Sequence, residues 1–154
     1  MLQWKRLTEW LRADDGTASL EFITTGVLLL VPLVYLVLAM SSIQGASLAV
    51  EGAARQAARV YVQAPSADSA KARVGRAVEF ALADYGLESG SARVDVSCTP
   101  NPDVCLTRNG SVTVTVRVSA PLPLVPDVLD LRSRASVPMQ SSATQVVSRF
   151  WSAG

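Results

Sequence analysis

The residues of this chain with chemistry to offer are two cysteines, a set of scattered carboxylates, and one acid at the head of a long apolar run. Cys98 and Cys105 enclose Thr-Pro-Asn-Pro-Asp-Val. A redox pair would want a closer spacing and a neighbour that stabilises a thiolate. A zinc centre would need two more soft ligands, which the chain does not supply. An intraloop disulfide is therefore the expected state in an oxidising compartment, and closing so short a loop contributes ~2–3 kcal/mol on chain-entropy grounds. Among 154 residues there is no histidine, so the commonest general base and metal ligand is missing. The many serines thus lack the usual triad base. Asp68, Glu79, Asp84, Glu88, Asp95, Asp103, Asp127 and Asp130 fall at no acid–base or calcium-loop spacing. No glycine-rich phosphate loop occurs. The chain reads as non-enzymatic, with no cofactor and no metal.

Glu21 is the acid whose position needs a reason. From Phe22 to Met40 no residue is charged, and the polar positions are Thr24 and Thr25. At about 1.5 Å per residue such a run crosses a hydrocarbon core of ~30 Å as a helix. A carboxylate at its lip costs on the order of 2–3 kcal/mol unless it is paired or interfacial. Upstream, Asp14-Asp15-Gly16-Thr17-Ala18-Ser19-Leu20 puts the smallest residue at the junction between a charged segment and the apolar run.

Gly16, four residues, then Glu21-Phe22 at the head of the only membrane span resembles the type IV prepilin cleavage signal, in the form used by the Flp/Tad branch. Beyond it, an Ala/Arg-rich continuation from Ala46 to Val62 and a small region with a cysteine pair are similar to the TadE/TadF-like minor pseudopilins of the tight-adherence pilus. The resemblance implies cleavage between Gly16 and Thr17 by a prepilin peptidase at the cytoplasmic face. It also implies that Glu21, with Phe22 beside it, accepts the new Thr17 amine from its own chain or a neighbour and so selects register during assembly. Implied partners are the peptidase, other pilins and pseudopilins, and the inner-membrane platform. Common type IV pilins have Phe where this chain has Thr17.

The elements that must position these residues follow from patterning. Lys5, Arg6 and Arg12 flank the run on its N-terminal side, whereas the first basic residue beyond it is Arg55. The N-terminus is therefore expected in the cytoplasm, with the cysteines outside, in the inner membrane's extracytoplasmic space. A net charge of +1 and the absence of a basic stripe exclude an electrostatic nucleic-acid binder, and nothing advertises a small-molecule substrate. Two other readings stay open. One is a secretory signal peptide with a cleavage site at Ala46-Ser47-Leu48-Ala49. The other is an unprocessed single-pass protein whose outer domain binds a ligand or envelope partner.

Along the chain, residues 1–16 form a leader in which Trp4, Leu7, Trp10 and Leu11 recur at helical spacing, either a segment lying on the inner membrane face or a plain tail. Residues 17–63 form the span, about 22–40 with Gly26 and Pro32 inside it, and a helical stalk, together about 70 Å long if continuous. Ala49, Val50, Ala53, Ala57 and Val60 make an apolar stripe, with Ala54 and Tyr61 beside it and Glu51, Arg55 and Arg59 opposite. Its small residues allow close approach of another helix or of the chain's own domain. Residues 64–154 are the exported domain. Pro65-Ser66 breaks the stalk and Ser66 caps a second helix ended by Gly86. Period-two alternation gives strands through Val94–Cys98 and Val112–Val118, and a third is placed at Arg132–Val137. The tail Gln145–Trp151 is read as a short helix or disordered. The fold class expected is α+β, a long transmembrane and stalk helix, a second helix and a small antiparallel sheet of two to three strands.

Overall fold

The computed structural model describes residues 17–88, 90, 92–125 and 134–152. Its element order is α1 (Thr17–Val62), α2 (Ala67–Ala83), β1 (Arg93–Thr99), β2 (Ser111–Pro121) and β3 (Ser136–Val146), an α+β arrangement. The chain divides into two compact units, Met1–Ala39 and Met40–Gly154, and α1 contributes to both.

In the first unit, α1 is apolar all round. Every residue from Ala18 to Leu38 is exposed, including Leu29 at 71% and Phe22 at 79%. An 18-residue window reaches a mean hydropathy of 2.4, and the helix is long and apolar enough to cross a membrane. A helix that is hydrophobic and exposed on all faces demands an apolar solvent or other helices around it. Pro32 lies inside it.

In the second unit the same helix becomes one-sided. Ala46, Ala49, Val50, Ala53, Ala54, Ala57, Ala58 and Tyr61 are buried, while Glu51 and Arg55 pair on the outer side. The stripe of small residues thus packs within its own domain, and Val60 is half-buried at its margin. Pro65-Ser66 ends α1, and Ser66 caps α2. Its Oγ accepts from the Ser69 backbone N–H, and Ser69 Oγ accepts from the Ser66 N–H, both at 3.3 Å, so two orphan donors are satisfied reciprocally. Ala70, Val74, Val78 and Leu82 form the buried stripe of α2. Gly86, at φ +68°, closes it. Its N–H donates to Ala83 O (2.9 Å) and the Leu87 N–H to Leu82 O (3.0 Å), the paired bonds of a Schellman ending. A Cβ on Gly45 would lie 3.7 Å from the Tyr85 ring, so α2 runs back along α1.

The sheet is an antiparallel meander in the order β1-β2-β3. Central β2 turns Val112, Val114, Val116, Val118 and Ala120 inward, each at 4% exposure or less. Burial of each of these valines stabilises the fold by about 1.5–3 kcal/mol. The register sets Val114 between Val96 and Ala143, and Val116 between Val94 and Ser141. On the outer face Arg117 pairs with Asp95 and donates from Nε to Gln140 Oε1 at 2.7 Å, while Thr113 and Thr144 share a hydrogen bond of 2.8 Å.

Two sequence expectations change. The third strand is Ser136–Val146, not Arg132–Val137, of which Arg132 and Ser133 lie outside the described residues. Its pattern is mostly Ser, Thr and Gln, and pairing with β2 supplies what apolar alternation does not. The tail is neither helical nor loose. Gln145 and Val146 belong to β3, Val147 is fully buried, and its backbone bonds Asn109 N–H and Gly110 O. The Trp151 indole donates to Ala64 O (2.9 Å), and Trp151 O accepts from Arg108 Nε (2.8 Å), so a carbonyl just past the end of α1 is satisfied from the C-terminus.

Burial raises the Tyr61 phenol above its ordinary range. The unfolded phenol ionises near pH 10, whereas the folded one holds its proton longer. Stability from this group is therefore complete below about pH 10 and is lost as pH rises through the folded value. Denaturant titrations between pH 9 and 11 are expected to show this loss, and Tyr61→Phe is expected to remove that part of the pH dependence.

Candidate functional site

The site expected from the sequence is the start of α1. Thr17 opens the helix, and Glu21 follows four residues later, one turn in. Positions i and i+4 share a helix face, with Cβ atoms about 5–6 Å apart. A free amine at Thr17 would therefore lie within reach of the Glu21 carboxylate of the same chain. The carboxylate sits in the second turn, where the helix N-terminus adds a modest favourable field. Glu21 is exposed and has no ion-pair or hydrogen-bond partner among the described residues. Phe22 stands beside it, exposed. Thr24 and Thr25 lie one turn further along the Glu21 face. Gly16 and the leader lie outside the described residues.

At the other expected site, Cys98 and Cys105 form a disulfide with a Cα–Cα distance of 5.1 Å. Cys98 is buried at the end of β1 opposite Val112 of β2. The bridge thus ties the loop at 99–104 to the core, and Leu106 follows it into the interior. A turn then leads into β2. The Gly110 N–H donates to Thr107 O at 2.9 Å, and Asn109 takes φ 59°. A Cβ on Gly110 would fall 2.5 Å from Thr107 Oγ1 and 3.0 Å from Thr107 O, so any side chain here would force Thr107 to shift. Sequence reasoning missed this turn, although the Asn109-Gly110 pair is a turn signal that could have revealed it.

The remaining polar surface offers a contrast. A shallow, open depression is lined by Arg93, Arg117, Val118, Ser119, Pro138, Met139 and Gln140. Arg117 there is already engaged by Asp95 and Gln140. The depression brings together no nucleophile and base. Among the described residues, no three of the metal-binding types gather.

Reduction of the Cys98–Cys105 bridge, or the double change Cys98→Ala and Cys105→Ala, is expected to lower stability by about 2–3 kcal/mol. Denaturant unfolding with and without reductant measures this, and a change within error would mean that the loop is held without the bridge.

No protein-family model, no curated protein and no solved structure matches the chain.

Proposed function

We propose that this chain is a single-pass membrane subunit that works by assembly, a minor pseudopilin of the tight-adherence (Tad) kind. In this reading residues 1–16 are a cytoplasmic leader removed by a prepilin peptidase. Residues from about 22 to 40 cross the inner membrane, and the unit from Met40 onward is displayed on its far side. The observation that carries the reading is Glu21, an acid with no partner among the described residues, one turn inside the head of an exposed apolar helix and four residues past Thr17. Cleavage there would create the amine that neutralises it.

Three further features support the reading. The helix that would span the membrane exposes its apolar side chains on all sides, as an assembling or lipid-facing helix requires. The disulfide fits an oxidising compartment. Ala46 and Ala49 are core residues, at 3% and 1% exposure, so signal-peptide cleavage after Ala49 would cut away part of the core. In the assembled machine, Glu21 of one subunit pairs with a Thr17 amine of its own or a neighbouring chain, and the two charges neutralise within a helix bundle. The subunit then primes or caps a filament, or links it to the inner-membrane platform.

Variants expressed in the native host separate the two steps. Gly16→Ala is expected to leave the leader attached, read as an unshifted full-length band. Glu21→Ala is expected to be processed normally but to be absent from purified pilus or platform complexes. Normal incorporation of the Glu21→Ala protein would rule out the pairing role.

A further inference from the structure

The free edge of β3 carries an inference independent of the pilin reading. In an antiparallel pair the residues of a strand alternate between bonding their neighbour and pointing their N–H and C=O away from it. Two bonds fix that alternation for β3. The Leu122 N–H donates to Ala135 O (3.0 Å), and the Val147 N–H donates to Gly110 O (2.8 Å). Both lie on the β2–β3 register, which pairs Ala120 with Val137 and Val112 with Gln145. Odd-numbered residues of β3 therefore bond β2, and even-numbered residues point their backbone groups outward. Pro138, which has no N–H to offer, falls on an outward position, where a strand tolerates proline.

Gln140, Ser142, Thr144 and Val146 thus present a row of backbone donors and acceptors along an edge with no strand beside it among the described residues. Proteins usually blunt such an edge with charge, proline, a bulge or shortness. Here Met139–Val146 contains no charge, no proline and no glycine. The opposite edge differs. β1 is only 7 residues long, carries Arg93 and Asp95, and ends at the disulfide. The outer side chains of β3 are already ordered on the sheet, Gln140 by Arg117 and Thr144 by Thr113, so what the edge offers a partner is its backbone.

We propose that β3 pairs antiparallel with β3 of a second copy of this chain, making one continuous sheet of 2 × 3 strands across a two-fold axis at Ser142. About this axis Gln140 faces Thr144 of the partner copy and Ser142 faces its own equivalent, so each meeting residue has both an N–H and a C=O to exchange. Pro138 meets Val146 at the rim, where the missing donor matters least. With no charge anywhere from Ala135 to Ser148, the strand meets its copy without like-charge repulsion. A two-fold contact of this kind closes on itself and stops at the dimer.

The test uses the full chain in detergent micelles with its disulfide intact. Sedimentation across a range of protein concentrations is expected to show a monomer–dimer equilibrium. Ser142→Pro removes an outward N–H without touching the β2 ladder, and Ser142→Lys sets two like charges at the axis. Each is expected to raise the dimer dissociation constant about tenfold or more while leaving the circular dichroism unchanged, the Pro change through two lost backbone hydrogen bonds. Ser142→Cys is expected to cross-link two copies on mild oxidation, since residues of a bonded antiparallel pair lie about 5.5 Å apart, within disulfide reach. Ser97→Cys, on β1, is expected to stay uncrosslinked. A wild-type protein that remains monomeric overturns the proposal. So does a dimer that both Ser142 variants leave intact, as association through the apolar helix would produce, or cross-linking of Ser97→Cys as readily as Ser142→Cys.

Discussion

Everything else in the described structure depends on how closely α1 can approach the chain that folds onto it. Between Ala46 and Tyr61 the buried face of that helix is built almost wholly of alanine, with Val50 and Tyr61 as its larger members. Small side chains let a second helix lie close, and the valine row of β2 and the stripe of α2 close over the rest in a single cluster. A methylene added to a seam this tight costs about 1–3 kcal/mol through overpacking. The core is thus defined by shape more than by bulk, and its largest fully buried side chain is Leu82.

The second constraint is the change of environment along α1. From Phe22 to Leu38 its residues are uncharged and exposed on every face, whereas from Ala46 onward burial is one-sided and charges return at Glu51 and Arg55. One helix therefore satisfies two different solvents, and its sequence switches pattern between them. The first pattern suits lipid or a bundle of like helices. The second suits a small α+β domain with a polar outer face. An acid at the head of the first pattern is expensive in isolation and useful only when something neutralises it. That is why Glu21, together with Gly16 and Thr17, dominates the functional reading.

Features decided by local chemistry could be read from the chain. Ser66 after Pro65, Gly86 after the last apolar turn of α2, the valine alternation of β2 and the short Cys98–Cys105 spacing each carry their structural consequence within a few residues, and the fold class followed from them. Features decided by distant partners could not. β3 is a strand because β2 lies beside it, since Gln140-Ser-Ser-Ala-Thr-Gln145 shows little of the apolar alternation that marks β2. The order of the tail rests on the Trp151 indole meeting Ala64 O, 87 residues away. The small-residue stripe was visible, but whether its partner was another subunit or its own sheet was not. At the candidate site, the sequence singles out Gly16, Thr17, Glu21 and Phe22 as candidates, and the fold adds that Thr17 and Glu21 share one helix face a turn apart.

In the proposed function, this helix becomes an assembling helix only after its leader is removed at Gly16–Thr17. The intact mass of the protein, recovered from the membranes of its native host, tests this most directly. The expected mass is that of a chain lacking residues 1–16 and beginning at Thr17. A full-length chain, or one beginning at Val50, would contradict it.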